Sequence, residues 1–138
     1  MNKDFTLQVG VKALIRNNDG KFLFIQRNRS LYPDTLPGWD IPGGRIDPSE
    51  PLKTALAREV TEEIGLTIAS HPHIIYAQDI FPSAGRHIVR LTYLAQASGT
   101  IILGAEHSDY AWFSRETALL EEFDPFVREV LEHANRLH

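Results

Sequence analysis

Between residues 50 and 63 the chain gathers four glutamates and one arginine into a pattern that could do chemistry: Glu50, then Arg58-Glu59, then Glu62-Glu63. On a helix, Glu59, Glu62 and Glu63 fall within an arc of about 100°, so one face carries three carboxylates. Like charges at i, i+3 and i+4 cost roughly 0.2–0.5 kcal/mol per pair in solvent, and more when partly buried. A hard divalent cation offsets that cost, because Mg2+ takes oxygen ligands, keeps several waters and binds through one or two carboxylates plus substrate phosphates. Spacing alone leaves open a solvated acidic face with Arg58 as a surface ion pair. The preceding Gly43-Gly44, which lets the backbone approach a ligand closely, favours the site.

Such residues need a helix and a scaffold to aim it. Leu56, Val60 and Ile64 recur at i+4 as an apolar stripe and Gly65 stands where a left-handed C-terminal residue belongs, so the helix runs from about Leu52 to Ile64. Asp47-Pro48-Ser49-Glu50 offers two candidate caps, Asp47 and Ser49. Upstream, Val9, Val11, Ala13 and Ile15 alternate with Gly10, Lys12 and Leu14, and Asn17-Asn18-Asp19-Gly20 supplies a turn before Phe22–Ile25; this predicts a β-hairpin. Ser30 to Pro42 reads as a long surface loop leading into a short strand, Trp39-Asp40-Ile41. Further strands are expected at Ile74–Phe81, Ile88–Ala97, Ile101–Leu103 and Asp109–Phe113, with turns at Pro82-Ser83-Ala84-Gly85 and Ala97-Ser98-Gly99. Ser114 caps a short helix, and Asp124-Pro125 opens another with a stripe of Phe126, Val127, Val130, Leu131 and Ala134. Strands with interspersed helices make a mixed α/β sandwich, and 138 residues suit one domain spanning 1–138.

Composition narrows the partners. The chain is 43% hydrophobic and 23% charged, as ordinary globular proteins are. A formal net charge of −4 provides no basic field for a nucleic-acid polymer, whose phosphates are bound through Lys and Arg. No cysteine is present, which excludes disulfides, thiolate metal ligands and a cysteine nucleophile. Met1-Asn2-Lys3-Asp4-Phe5 lacks a signal-peptide core and no apolar run approaches the ~20 residues of a bilayer span, so a cytoplasmic protein without membrane contact, monomeric or homodimeric, is expected.

Written out, Gly44-x5-Glu50-x7-Arg58-Glu59-Val60-x-Glu62-Glu63-x-Gly65-Leu66 resembles the Nudix box at every specified position, over 23 residues or a sixth of the chain. Trp39-Asp40-Ile41-Pro42-Gly43 resembles the family's approach strand. The resemblance implies an α/β/α sandwich with a mixed sheet, of the α+β or α/β class, that uses Mg2+ or Mn2+ to hydrolyse a small nucleotide: a nucleoside diphosphate linked to another moiety, either a nucleoside triphosphate or a nucleotide sugar such as ADP-ribose. It implies Glu59, Glu62 and Glu63 as metal ligands, with the Gly43 carbonyl as a further one. Arg58 and Glu50 match positions that orient the ligand carboxylates, as a guanidinium fork can. The general base stays open among Glu62, Glu63 and Glu106, a box glutamate being favoured. A non-catalytic member of the family that binds a nucleotide as a sensor is the alternative reading.

Residues outside the box should select the substrate. Trp39, Tyr76 and Phe81 could stack on a base, and Arg27, Arg45 and Arg86 could meet phosphate or ribose, although core packing or solvated surface explains each as well. Pro82, sixteen residues past Leu66, resembles a feature of ADP-ribose pyrophosphatases, and a turn between strands explains it equally well. Glu106-His107-Ser108-Asp109-Tyr110-Ala111-Trp112 resembles a segment in which a loop glutamate reaches the metal site, or else a polar turn into a buried Trp112. His107 itself is expected at the surface.

Overall fold

The computed structural model describes residues 5–34, 38–69 and 71–134. Residues 1–4, at the chain start, and 35–37, within the expected Ser30–Pro42 loop, lie outside the described part. In chain order the elements are β1 (Thr6–Ile15), β2 (Phe22–Arg27), β3 (Gly43–Arg45), α1 (Leu52–Ile64), β4 (Thr67–Ile68), β5 (His73–Ser83), β6 (Arg86–Ala95), β7 (Ala97–Ser98), β8 (His107–Phe113), α2 (Arg115–Ala118) and α3 (Pro125–His133).

β1 is the spine. It pairs parallel with β6 along its whole length, Thr6 with Arg86 through Ile15 with Ala95, and antiparallel with β3, giving the mixed order β3-β1-β6-β5. Its side chains alternate between faces. Val11, Ala13 and Ile15 enter one buried cluster with Leu56, Val60 and Ile64 of α1, while Leu14 enters a second with Val127 and Leu131 of α3. Helices therefore cover both sides, in an α/β/α arrangement. Leu56, Val60 and Ile64 are fully buried, and at about 1.5–3 kcal/mol each they anchor α1 by the stripe opposite its carboxylates.

The expected hairpin of β1 with β2 does not form a ladder. The turn closes, the Asn17 N–H donating to the Lys21 carbonyl at 2.9 Å, but the two segments then share only the bridge between Arg16 and Phe22. A strand has two edges, and those of β1 are taken by β3 and β6. β2 instead pairs antiparallel with β8, from Phe22 with Phe113 to Arg27 with His107. Trp39 and Asp40 make isolated bridges, to Phe123 and Ile25, rather than a strand.

Ile101–Leu103 is no strand either. Its alternating N–H groups serve the end of α1: Ile102 donates to the Ile64 carbonyl at 2.9 Å and Gly104 to that of Glu63 at 2.8 Å. Those carbonyls would otherwise be orphans of the helix C-terminus. Gly65, at φ 72°, ends the helix as expected. The start differs from both candidate caps. Pro51 is the N-cap and supplies no side-chain bond, because Ser49 is left-handed (φ 68°) and Glu50 folds back to accept from the Asp47 N–H at 3.0 Å. Ser114 and Asp124 cap α2 and α3 as predicted. The turn after β5 is shorter than expected: the strand runs on through Pro82 to Ser83, with Pro82 in a register shift where its missing N–H costs nothing. No helix among the described residues is long and apolar enough to cross a membrane.

β3 approaches β1 so closely that Gly43 admits no side chain. At φ 151°, a Cβ there would lie 2.1 Å from the Val11 carbonyl oxygen and 2.7 Å from Lys12 Cα. Gly43→Ala is expected to cost about 3 kcal/mol or more in urea denaturation. Gly20→Ala, at φ 77° with nothing within 4 Å, should cost only ~1 kcal/mol; equal losses would show that the approach of β3 is not constrained.

Candidate active site

A cleft of about 770 Å³ opens where α1, β3 and the segment before β8 meet. One wall is built by Gly43, Gly44 and Arg45 of β3 with Glu59, Glu62 and Glu63 of α1; the other by Arg27 at the end of β2 and by Gly104, Ala105, Glu106 and His107. The bonds from Ile102 and Gly104 to the end of α1 hold the second wall beside the first.

Arg58 organises the carboxylates. Its Nε and Nη2 donate to the two oxygens of Glu50, at 2.8 and 3.0 Å, in a fork. Its Nη1 donates to Glu59 at 2.9 Å and to Glu62 at 3.4 Å, and Nη2 reaches the Arg45 carbonyl at 3.3 Å. Bonds from Arg58 and from the Asp47 N–H hold the Glu50 carboxyl down at about 2. Glu59 is thereby pressed onto β3: a Cβ on Gly44 would lie 2.7 Å from its carboxylate. Gly44 is glycine to seat Glu59.

Glu63 is the opposite case. Its Oε2 accepts from the Gly43 N–H at 3.2 Å. Burial, with some help from the charge of Glu59, pushes its carboxyl up to about 8 against the pull of Lys12 and of that N–H. A carboxylate so placed has too little counter-charge to offset its burial. Among the described residues no three acidic or imidazole side chains stand ready-grouped around an ion position; Glu59 and Glu62 accept from Arg58, while Glu63 meets both the Gly43 N–H and the Glu59 carboxyl. The groups facing the cleft nonetheless form an oxygen-only donor set, with a seat for Glu59 and an uncompensated Glu63, which suits a hard divalent cation.

The site also includes residues that sequence reasoning passed over. Lys12, central in β1, has a side chain only 12% exposed; its Nζ meets Asp40 at 3.3 Å and donates to the Ile41 carbonyl at 3.0 Å. Burial would raise the Asp40 carboxyl, but Lys12, the Ile41 N–H and Arg90 together hold it below the usual range. The one signal was a lysine within an otherwise apolar strand. His107, expected at the surface, is 8% exposed. Its pairing with Arg27 draws it inward, and burial, then the Arg27 guanidinium, lower its pKa.

Of the expected substrate residues, Arg27 and Arg45 line the cleft; Trp39, Phe81 and Arg86 are not among its lining residues. Trp39 packs edge-on against Phe113 at 5.4 Å. Phe81 is 68% exposed and stacks on His87, and Arg86 bonds Gln8, both by the β5–β6 turn. Tyr76 lies on β5, also outside the lining. Glu106 is exposed on the rim.

Comparison with known proteins now decides the family: the NUDIX domain profile matches residues 6–134. The chain belongs to the Nudix hydrolase family. It is 29% identical over 126 residues to the nucleoside triphosphatase NudI of Salmonella agona (strain SL483), covering 83% of this chain and 87% of that one. Among solved structures it is similar to the MutT protein of Methanosarcina mazei Go1 (30% identity, TM-score 0.79, 95% and 94% of the two chains covered). The MutT NUDIX hydrolase of Burkholderia pseudomallei is similar too, at 29% identity and a TM-score of 0.76 over 92% of this chain and 97% of that one. This Nudix chain is accordingly a hydrolase of phosphoric anhydrides, and Nudix hydrolases generally depend on a divalent metal.

The two anomalous glutamates give metal-free stability a readable pH profile. Between pH 4.5 and about 8 Glu63 is ionised in the unfolded chain but protonated in the folded one, so stability falls as pH rises through that window and is flat above it. Glu50 acts in the opposite sense, losing its contribution only as pH falls from 4.5 towards 2. In EDTA, Glu63→Gln should flatten the slope between pH 5 and 8 by an amount on the order of 2 kcal/mol in denaturant titrations. Parallel profiles for variant and wild type would refute the burial of Glu63.

Proposed function

We propose that this Nudix hydrolase is a divalent-cation-dependent pyrophosphohydrolase of nucleoside triphosphates, releasing products by attack of water on phosphorus. The observation that carries the reading is the meeting of Glu59, Glu62, Glu63 and the Gly43-Gly44 backbone in a cleft that Arg27 and Arg45 also line. The triphosphate, rather than a nucleotide sugar, is favoured by relatives named as nucleoside triphosphatases. Pro82, the cue towards ADP-ribose, is not among the cleft's lining residues.

Glu59, Glu62, Glu63 and the Gly43 carbonyl would hold Mg2+ or Mn2+. When bound, the ion polarises the phosphoryl oxygens and makes a bound water more acidic. The protein's own groups do the rest. Arg58 fixes the Glu59 and Glu62 carboxylates, so the ligand face is preorganised before substrate arrives. Glu62, the most solvent-reaching of these, at 59% side-chain exposure, is placed to accept the water's proton; Glu63 and the rim Glu106 are the other acceptors within the cleft. Arg27 and Arg45 neutralise substrate phosphate that would otherwise be repelled by the acidic wall.

A nucleotide panel with Mg2+, with both products identified, tests the reading: a nucleoside triphosphate should be consumed, and consumption of nucleotide sugars alone would overturn the substrate assignment. Glu62→Gln keeps shape but removes charge, and kcat should fall ~10²–10⁴-fold with the fold retained; near wild-type turnover would end the metal-site reading of α1.

Cation binding should also show without turnover. An ion bound only by the folded state adds RT ln(1 + [L]/Kd), or ~2.7 kcal/mol at ~100 Kd, enough to raise Tm by several degrees. The triple variant Glu59→Gln, Glu62→Gln, Glu63→Gln should lose that shift while its metal-free Tm matches or exceeds the wild type's. An undiminished shift in the triple variant would put the cation elsewhere.

A further inference from the structure

Four buried side-chain atoms lack a hydrogen-bond partner among the described residues, and His107 Nδ1 is the one whose residue lines the cleft. Buried polar atoms are paired in the great majority of cases; Nδ1 is closed off from the cleft without a partner, so the ring's contact with a ligand there falls to Nε2–H, the tautomer that leaves Nδ1 unprotonated. The backbone shows that the placement is built. Gln26 pairs with Asp109 but Arg27 with His107, so the β2–β8 ladder shifts register there and leaves Ser108 over. A bulge of this kind re-aims side chains, often beside active sites. Here it makes Arg27 and His107 direct cross-strand partners, both lining the cleft that Glu59, Glu62 and Glu63 also line.

Among the described residues the guanidinium of Arg27 is seated by stacking rather than by hydrogen bonds. Its guanidinium lies over the Tyr32 ring at 4.8 Å from the centroid, and stacking on a face leaves the N–H edge free. Around His107 stand Arg27, Lys12, Asp40 and Glu106; burial first, then the two cations against the two carboxylates, lowers the imidazole pKa and so favours the neutral ring. A neutral ring still carries one N–H donor. The second wall thus offers a fixed cation beside a neutral donor, across from an acidic wall. The chemistry that meets both is an anionic chain of acceptor oxygens.

We propose that His107, acting beside Arg27, binds the phosphate chain of the substrate in the cleft that the box glutamates line. This rests on the nucleotide-hydrolase reading above and adds a residue to it. His107 contributes ground-state binding, so its loss should raise KM far more than it lowers kcat.

The test measures wild type, His107→Phe, His107→Asn and Arg27→Gln for triphosphate turnover and, by calorimetry with Mg2+, for affinity towards a non-hydrolysable nucleoside triphosphate analogue. His107→Phe and Arg27→Gln should each weaken analogue binding by about tenfold, with kcat within about threefold of wild type. His107→Asn, which keeps an N–H donor, should recover much of the loss. The double variant should be less impaired than the product of the singles, because both groups grip one ligand. The Mg2+-induced rise in Tm should persist in every variant, so that lost analogue affinity is separated from lost cation binding, and a metal-free Tm close to wild type separates it from a merely structural loss. Should His107→Phe fail to fold, the ring 15N resonances of wild-type His107 decide: they should move on saturation with the analogue, and unmoved resonances overturn the proposal. Wild-type affinity and KM in His107→Phe overturn it while leaving the hydrolase reading intact. A wild type that binds the analogue with those shifts yet turns over no triphosphate upholds the clamp and overturns the reaction.

Discussion

Arg58 sits among the carboxylates of Asp47, Glu50, Glu59 and Glu62 and the Arg45 carbonyl, and the site's shape follows from that convergence. Without a cation at its centre, a helix carrying Glu59, Glu62 and Glu63 on one face and Glu50 at its approach would repel itself. The guanidinium binds Glu50 in a fork and spends its remaining donors on Glu59, Glu62 and the Arg45 carbonyl. The same group therefore ties the loop before α1, the face of α1 and β3 into one unit. Gly44 must lack a side chain because Glu59, so held, lies against it. Gly43 must lack one because β3 is drawn onto β1.

Arg58 compensates only part of that charge. Glu63 has no bond from Arg58; it accepts from the Gly43 N–H, shares a hydrogen bond with Glu59, and sits where burial outweighs the attraction of Lys12. The site is thus divided into a settled half, paired with arginine, and an unsettled half whose carboxyl resists ionisation. Under the proposed cation-dependent reaction this division is useful: pre-paired carboxylates would set geometry, while one short of counter-charge would supply the free-energy gradient that a divalent ion relieves. Stability and function pull in opposite directions at Glu63, as they commonly do where a site stores strain or charge.

How far this was legible depended on sequence distance. Glu59, Glu62, Glu63 and the stripe of Leu56, Val60 and Ile64 are local, so helical period alone put them on opposite faces of α1, and Gly65, Ser114 and Asp124 marked helix ends by chemistry within a few residues. The β1–β2 hairpin was misread because local turn chemistry at Asn17–Gly20 was sound while the competition for the edges of β1 was decided by β3 and β6. Ile101–Leu103 looked like a strand because an extended apolar tripeptide is one locally; its N–H groups go to a helix end far back in the chain. Trp39, Phe81 and Arg86 had the right chemistry for a nucleotide, but position in the sheet, which composition cannot give, put them outside the cleft's lining.

His107 shows the same limit from the other side. A histidine flanked by Glu106 and Ser108 reads as polar surface, and nothing within several residues contradicts that. Its burial arises from pairing with Arg27 across a bulge, so its environment is a property of two strands that the sequence keeps far apart. A regular ladder would set Arg27 opposite Ser108 and leave the imidazole beyond the last pair. One surplus residue therefore converts a rim position into a wall position, and it does so on the side of the cleft that α1 does not supply. The acidic wall is written in a helix and can be read from its repeat; the wall facing it is written in a register, and only the folded chain displays it.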